Sequence, residues 1–315
     1  NIEVTQSESR EKVKSINIST LDLESGVDRI ELPDGTSVAG DSAVYRVDRN
    51  GVYTFKVYDN SGNITTKKVT VSKIDKNAPV LNVVCDNETW SSSKTISISA
   101  TDSESGVNKI ELPDGSFVMG SSATYKVTSN GTYTFKVYDN AWNVSTESVT
   151  ITKIDRASPT ITATYDDKDW SSSKTIDILA TDGRSGIKLI ELPDGTSVMG
   201  GSASYVVHEN GTYIFKAYNY AGNMVSSPVV ISKIDKSPPT ITAMYDDNNW
   251  SSSKEIIIEA SDSESGIDRI ELPNGDTVKG DTTTYIANSN GTYQFKAYDK
   301  AGHEKSISVK VSKID

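Results

Sequence analysis

The chain is poor in the side chains that most often carry chemistry. One cysteine, Cys85, and two histidines, His208 and His303, are spread over 315 residues. A lone cysteine excludes an intramolecular disulfide, and small β domains without cross-links fit a bacterial surface better than a eukaryotic secretory route. Cys85 stands where later repeats carry Tyr165 and Tyr245, so it reads as a strand residue. The histidines sit in different repeats, without the Cys/His spacing of a zinc site. No serine lies in a G-x-S-x-G turn, and the acidic pairs recur along the chain, so a single catalytic constellation is not expected. No apolar run approaches the ~18 residues of a membrane span, and no basic-then-apolar stretch opens the chain. The chain starts inside what reads as an incomplete repeat, which gives the expectation of a fragment cut from a longer protein. Positive charge is also short: 32 Lys and Arg against 43 Asp and Glu leave a net −11. That balance repels nucleic acid and suits solubility and cations.

What the chain has in abundance is repetition. YDNSGN (58–63), YDNAWN (138–143), YNYAGN (218–223) and YDKAGH (298–303) follow one another at 80-residue steps without insertion. A fixed period of this kind marks tandem structural units. We place them at 1–75, 76–155, 156–235 and 236–315. Three joints share a form, KIDKNAP (73–79), KIDRASP (153–159) and KIDKSPP (233–239). Proline there fixes φ and favours an extended entry into the next strand. These connections are too short and stiff to act as flexible linkers.

Within each unit the hydrophobic period is two. In the second, KTISISATD places Ile96, Ile98 and Ala100 on one face, and the fourth keeps Ile256, Ile258 and Ala260. Ile110 and Leu112 point inward before a turn at Asp114–Gly115. Tyr125 and Val127 precede a turn at Asn130–Gly131; Tyr133, Phe135 and Val137 follow, then Val149 and Ile151. About seven strands with frequent turns and no helical period predict an all-β fold: an antiparallel two-sheet sandwich per unit, four in tandem, end to end. Repeat 1 departs from the pattern. Its first strand (Asn1–Thr5) reads as short, and Arg10 replaces a tryptophan.

The run W…KTI.I.ATD..SGV..I.LPDG followed by NGTYTFKVYDNAGN resembles the immunoglobulin-like repeats of bacterial, especially Gram-positive-type, surface proteins and multidomain secreted glycosidases. The likeness covers the whole chain four times. It implies an immunoglobulin-like fold and, for most such repeats, a role as stalk or spacer.

In such a sandwich the first strand leaves the joint and the second returns to it. The loop after the second strand and the loop before the last strand therefore meet the incoming joint at one pole. Asp75, Asp102, Glu104 and Asp139 gather there in repeat 2, and Asp235, Asp262, Glu264 and Asp299 in repeat 4. Carboxylate-rich sites of this kind suit calcium, which takes six to eight oxygens. Repeat 3 keeps Asp155 and Asp182 but has Arg184 and Asn219 at the other positions, so binding there is expected to be weak or absent. The resemblance implies the same idea, because large adhesins with such repeats hold calcium at joints. Pure turn chemistry of Asp, Asn and Gly stays open as the alternative.

Trp90, Trp170 and Trp250 read as plugs at the end of each core. Trp142 replaces a glycine in a pole loop; an exposed tryptophan there could stack on a sugar, but at a joint it reads rather as packing on the neighbouring domain or as neutral drift. The tyrosines at 58, 138, 218 and 298 should point outward beside Lys56, Lys136, Lys216 and Lys296; this reads as ordinary cross-strand pairing, with a glycan-binding row as the alternative. The strand lysines are expected to face solvent, which argues against a Lys–Asn isopeptide bond. LPDG is a hairpin turn rather than a sorting signal. The expected function is a non-catalytic, monomeric, acidic stalk, extracellular, at a bacterial surface or cell wall or secreted. It would span on the order of 150 Å from strands rising ~3.3 Å per residue and project an adhesive domain toward a host or neighbouring-cell protein or glycan. The alternative is a module that binds protein or carbohydrate directly, accessory to a glycan-degrading enzyme. An exposed aromatic patch in a single repeat would favour it.

Overall fold

A computed structural model describes residues 1–315. It contains 28 strands and no helix. By contacts the chain divides into two compact units, Asn1–Arg156 and Ala157–Asp315, and each holds two sandwiches.

The first sandwich comprises β1 (Ile2–Gln6), β2 (Lys14–Thr20), β3 (Val27–Glu31), β4 (Ser37–Ala39), β5 (Ser42–Val47), β6 (Gly51–Asp59) and β7 (Ile64–Val71). The second comprises β8 (Val80–Val84), β9 (Lys94–Thr101), β10 (Val107–Glu111), β11 (Phe117–Met119), β12 (Ser122–Val127), β13 (Gly131–Asp139) and β14 (Val144–Ile151). The third spans 160–231 and the fourth 240–311, with the same order. In each, one sheet has three strands (β1-β2-β5, β8-β9-β12) and the other four (β4-β3-β6-β7, β11-β10-β13-β14), all antiparallel. This is the antiparallel two-sheet sandwich read from the two-residue period, in the immunoglobulin-like form that the resemblance implied. β1 has five residues, the same length as β8. The shortness expected of it came from counting from the chain start, whereas pairing with β2 fixes its extent at Ile2–Gln6.

The cores follow the alternation. Ile96, Ile98, Ala100, Ile110, Val127, Phe135, Val137 and Ile151 are buried together in the second sandwich, with Leu112, Tyr125, Tyr133 and Val149 partly buried around them. Phe55, Phe135, Phe215 and Phe295 are fully enclosed, one per sandwich. A tyrosine stands edge-on to each, as Tyr125 does to Phe135 at 6.0 Å, a geometry favoured by the ring quadrupoles. Cys85 packs against this second core, and burial pushes its thiol pKa up.

Two expectations are corrected. Trp90, Trp170 and Trp250 belong to none of the four cores; the first two are half-buried and Trp250 is 69% exposed. The loop that carries them is tied down from beneath by a lysine, so the indoles stay outside the gap between the sheets. That lysine is the second correction. Lys14, Lys94, Lys174 and Lys254, each the first residue of its strand, are buried. Their ammonium groups cap main-chain carbonyls, as Lys94 does for Asp86 and Thr89. Burying a charge requires such partners, and the loop supplies carbonyls.

Candidate metal centre

The joint between the first two sandwiches has no slack. Ile74 belongs to the first core and is bridged in parallel to Glu11. Its amide donates to the Asn50 Oδ1 (2.8 Å) and its carbonyl accepts from Asn50 Nδ2 (3.1 Å). The same reciprocal clasp joins Asn130 to Ile154, Asn210 to Ile234 and Asn290 to Ile314. The preceding lysine adopts the left-handed region every time, at φ 61–65° for Lys73, Lys153, Lys233 and Lys313.

One residue further on, Asp75 already lies at the pole of the second sandwich. The Asn143 side-chain amide donates to its carbonyl (3.1 Å). β8 runs away from the joint and β9 back to it, so loops 102–106 and 139–143 converge on Asp75. The carboxylates of Asp75, Asp102 and Asp139 come together, with ligand atoms within 4.8 Å of one another. Asp75 is 1% exposed and Asp139 fully buried.

Two of these carboxylates are held by turn chemistry. Asp139 Oδ1 accepts from the amides of Ala141 (2.8 Å) and Asn143 (2.7 Å), and its Oδ2 from Asn143 Nδ2 (2.7 Å). Asp102 Oδ1 accepts from the amides of Ser105 (2.7 Å) and Gly106 (2.6 Å). Asp75 differs. Its Oδ1 accepts from the Asn77 amide (2.9 Å), but its Oδ2 is buried without a hydrogen-bond partner. Burial pushes its pKa up, yet the Ser105 hydroxyl and the Asn77 amide outweigh that, and the carboxyl is held below its ordinary range. A charged carboxylate is thus buried with one oxygen lacking a hydrogen-bond partner, and it lies close to two more carboxylates. At an effective dielectric constant near 20, each such pair repels by roughly 3 kcal/mol at this separation, and a divalent cation would reverse the sign. The donor set is all oxygen, which fits a hard cation; carbonyls and water would complete its shell. Glu104 stands aside, accepting from Asn77 Nδ2 (2.7 Å) through its side chain and from Arg10 through its carbonyl.

The fourth sandwich varies the arrangement. Asp235 and Asp299 come together as the repeat suggests, and the third member of the group is His303 rather than Asp262. His303 Nδ1 lies 2.8 Å from Asp299 Oδ2. Asp262 serves its own turn, accepting from the amides of Glu264 (3.0 Å) and Gly266 (2.9 Å). Glu264 shares a hydrogen bond with Asp235, which raises the glutamate's pKa; burial pushes Asp235 up, but Ser265 and the Ser237 amide leave it lowered. No sequence spacing singled out His303. Its position in the repeat did carry a signal, since it replaces the loop asparagine found at 63, 143 and 223.

In the third sandwich Asn219 replaces the buried aspartate. Its side-chain amide donates to Asp182 Oδ2 (3.2 Å) and to the Ala157 carbonyl (3.0 Å). Amide hydrogens there meet the Asp182 carboxylate. Burial raises the Asp182 pKa, and Asn219 with two loop amides brings it below the ordinary value. Asp155 is buried at the end of the first unit.

No family model and no curated protein matches this sequence. Among solved structures, the chain is similar to a tetra-tandem repeat in the extending region of a large adhesion protein: 16% identity over 99% of this chain and 98% of that one, TM-score 0.30. It is similar to a structure of a 1.5-MDa bacterial ice-binding adhesin described for host cell surface retention: 14% identity, 74% and 97% covered, TM-score 0.34. It is also similar to a mixed-linkage glucan utilization protein of Bacteroides ovatus, SGBP-B, in complex with a heptasaccharide: 11% identity, 91% and 92% covered, TM-score 0.18. At TM-scores this low, none of these likenesses decides the chain's function.

Proposed function

We propose that the chain is a non-catalytic spacer of an extracellular bacterial surface or secreted protein, an adhesin by type, built of four tandem sandwiches, with calcium stiffening the joints at Asp75 and Asp235. The observation that carries this is the pair Ile74–Asp75. Consecutive residues are buried in consecutive sandwiches, so the connection has no residue free to act as a hinge. Ile234 and Asp235 repeat it in the second unit. Arg10, which stands in place of a tryptophan, reaches across to the Glu104 carbonyl, and Lys76 pairs with Asp48 at 2.7 Å. Calcium would be held by Asp75, Asp102 and Asp139 in the second sandwich, where the orphaned Asp75 oxygen asks for it. In the fourth sandwich Asp235 and Asp299 would serve with His303. The Asn219 amide makes the third sandwich insensitive to calcium. Repetition suits length and avidity better than a unique catalytic pocket.

Small-angle X-ray scattering on the full chain, with calcium and then with chelator, tests the reading. An extended particle whose maximum dimension is held by calcium and which loosens on chelation is expected. A compact particle would refute the spacer. An extended particle indifferent to calcium would leave the stiffness to packing and proline and remove the metal.

A further inference from the structure

The outer face of the four-stranded sheet differs in one sandwich. Register pairs Lys109 with Met119 on one side and Tyr138 on the other, and Glu111 with Phe117 and Lys136. In the second sandwich this brings Phe117 (51% exposed), Met119 and Trp142 (58% exposed) onto one open surface. The Lys109 ammonium lies 3.7 Å from the centre of the Phe117 ring, 5.1 Å from that of Tyr138 and 5.3 Å from that of Trp142, all within cation–π range. Trp142 stands edge-on to Tyr138 at 6.3 Å. Trp142 thus packs on its own sheet.

The other three sandwiches are internal controls. Ser37, Ser197 and Thr277 stand where Phe117 does, and Gly62, Gly222 and Gly302 where Trp142 does. The pole loop takes a left-handed conformation at this position in each, φ 87°, 85° and 92° at the glycines and 66° at Trp142. A tryptophan is strained there, and strain of this kind gathers at functional sites. The counter-charge differs too. In the first and fourth sandwiches the equivalent cation is an arginine, over Tyr58 or Tyr298 and tied to the preceding aspartate, Arg29 to Asp28 (2.6 Å) and Arg269 to Asp268 (2.8 Å). In the second sandwich that aspartate is Asn108, and Glu111 is occupied by Lys136 (3.1 Å) and the Tyr138 hydroxyl (2.7 Å). Lys109 makes no salt bridge: its ammonium lies among rings and acts on Glu111 only at longer range. It is a cation without a carboxylate in direct contact, set among exposed aromatics, on a chain of net charge −11.

We propose that this face of the second sandwich binds an acidic glycan through a carboxylated pyranose. The sugar's C–H face would lie on Trp142 and Phe117, its carboxylate would pair with Lys109, and neighbouring hydroxyls would meet Glu111 and the Tyr138 hydroxyl. Charge complementarity selects an acidic over a neutral sugar, and the flat rings select a pyranose over an acidic peptide. This reading goes beyond the spacer role and does not depend on calcium.

The test is nuclear magnetic resonance on the isotope-labelled full chain, following the Trp142 indole N–H in chelator. The probes are 3′-sialyllactose, digalacturonate, neutral lactose and an acetylated Asp-Glu peptide. Saturable shifts with one or both acidic sugars at low-millimolar concentration are expected, with lactose about tenfold weaker. Which of the two binds tells a sialic acid from a uronic acid. Lys109→Met should erase the preference over lactose. Trp142→Gly and Phe117→Ser should each weaken binding by about tenfold or more, followed on the Lys109 and Tyr138 amides. Both variants install residues that sibling sandwiches carry, so an unchanged spectrum elsewhere will certify folding. No saturable shift from either acidic sugar up to about 20 mM, equal response to lactose, response to the peptide alone, or unaltered binding by Trp142→Gly would each overturn the proposal.

Discussion

Converting the buried aspartate of the second sandwich into the asparagine of the third isolates the metal question. In Asp139→Asn, a neutral amide replaces the carboxylate that lies within 4.8 Å of Asp75 and Asp102. The change has a precedent in this chain. Asn219 makes the same loop bond, accepting from the Asn223 amide at 2.8 Å, and its amide donates to Asp182. Without calcium, the variant loses two carboxylate repulsions of up to roughly 3 kcal/mol each. Solvent and flexibility will reduce that, so a net gain of about 1–3 kcal/mol is expected. For a unit of this size, 1 kcal/mol moves Tm by about 2–4 °C, which makes the gain about 2–12 °C in chelator. With calcium the order reverses. The native chain should gain about 2.7 kcal/mol when free calcium is a hundredfold above Kd, and the variant almost nothing. Scanning calorimetry of the full chain in chelator and in calcium reads both numbers. If Asp139→Asn is destabilising in chelator, or keeps the native calcium response, the electrostatic account of this site is wrong.

Glu264→Gln should raise the stability of the second unit at neutral pH in chelator. A raised glutamate pKa contributes stability below its ordinary value of 4.5 and withdraws it as pH rises through the folded value; the gain should therefore vanish near pH 4, and a loss of Tm at pH 7 would contradict it. Asp75 has the opposite sign. Its depressed pKa contributes stability above the ordinary 3.8 that is lost as pH falls through the folded value, so Asp75→Asn should flatten the acid limb of the unfolding curve. Asn130→Ala removes both halves of the clasp on Ile154 and should cost about 1–3 kcal/mol in a urea melt, whereas Thr132→Ala on the exposed face of β13 should cost little. Phe135→Ala should cost about 3–5 kcal/mol and show as early loss of one sandwich while the others persist.

Much of this architecture was legible because its causes are local. Alternation in KTISISATD is enough to bury Ile96, Ile98 and Ala100, and the 80-residue recurrence is enough to show that the arrangement is built four times. The gathering of Asp75, Asp102 and Asp139 followed from strand direction alone. The buried lysines were not legible. Lys94 begins a strand like any surface lysine, and only the carbonyls of a folded-back loop make its burial tolerable. His303 was hidden because ligand spacing in sequence says nothing about a site assembled from three separate loops. The tryptophans at 90, 170 and 250 were misplaced because hydrophobicity does not say on which side of a loop a ring will lie.

By itself, then, the sequence determined the secondary structure, the period, the cores and the pole at which acidic loops meet, since these depend on side-chain alternation and chain direction. Only the tertiary structure decided which acidic groups lie close enough to repel, which oxygen is left without a partner, and that Lys109 lies among three rings with no carboxylate in direct contact. Those are matters of ångströms between residues far apart in the chain, set by strand register and loop conformation, and composition carries no record of them.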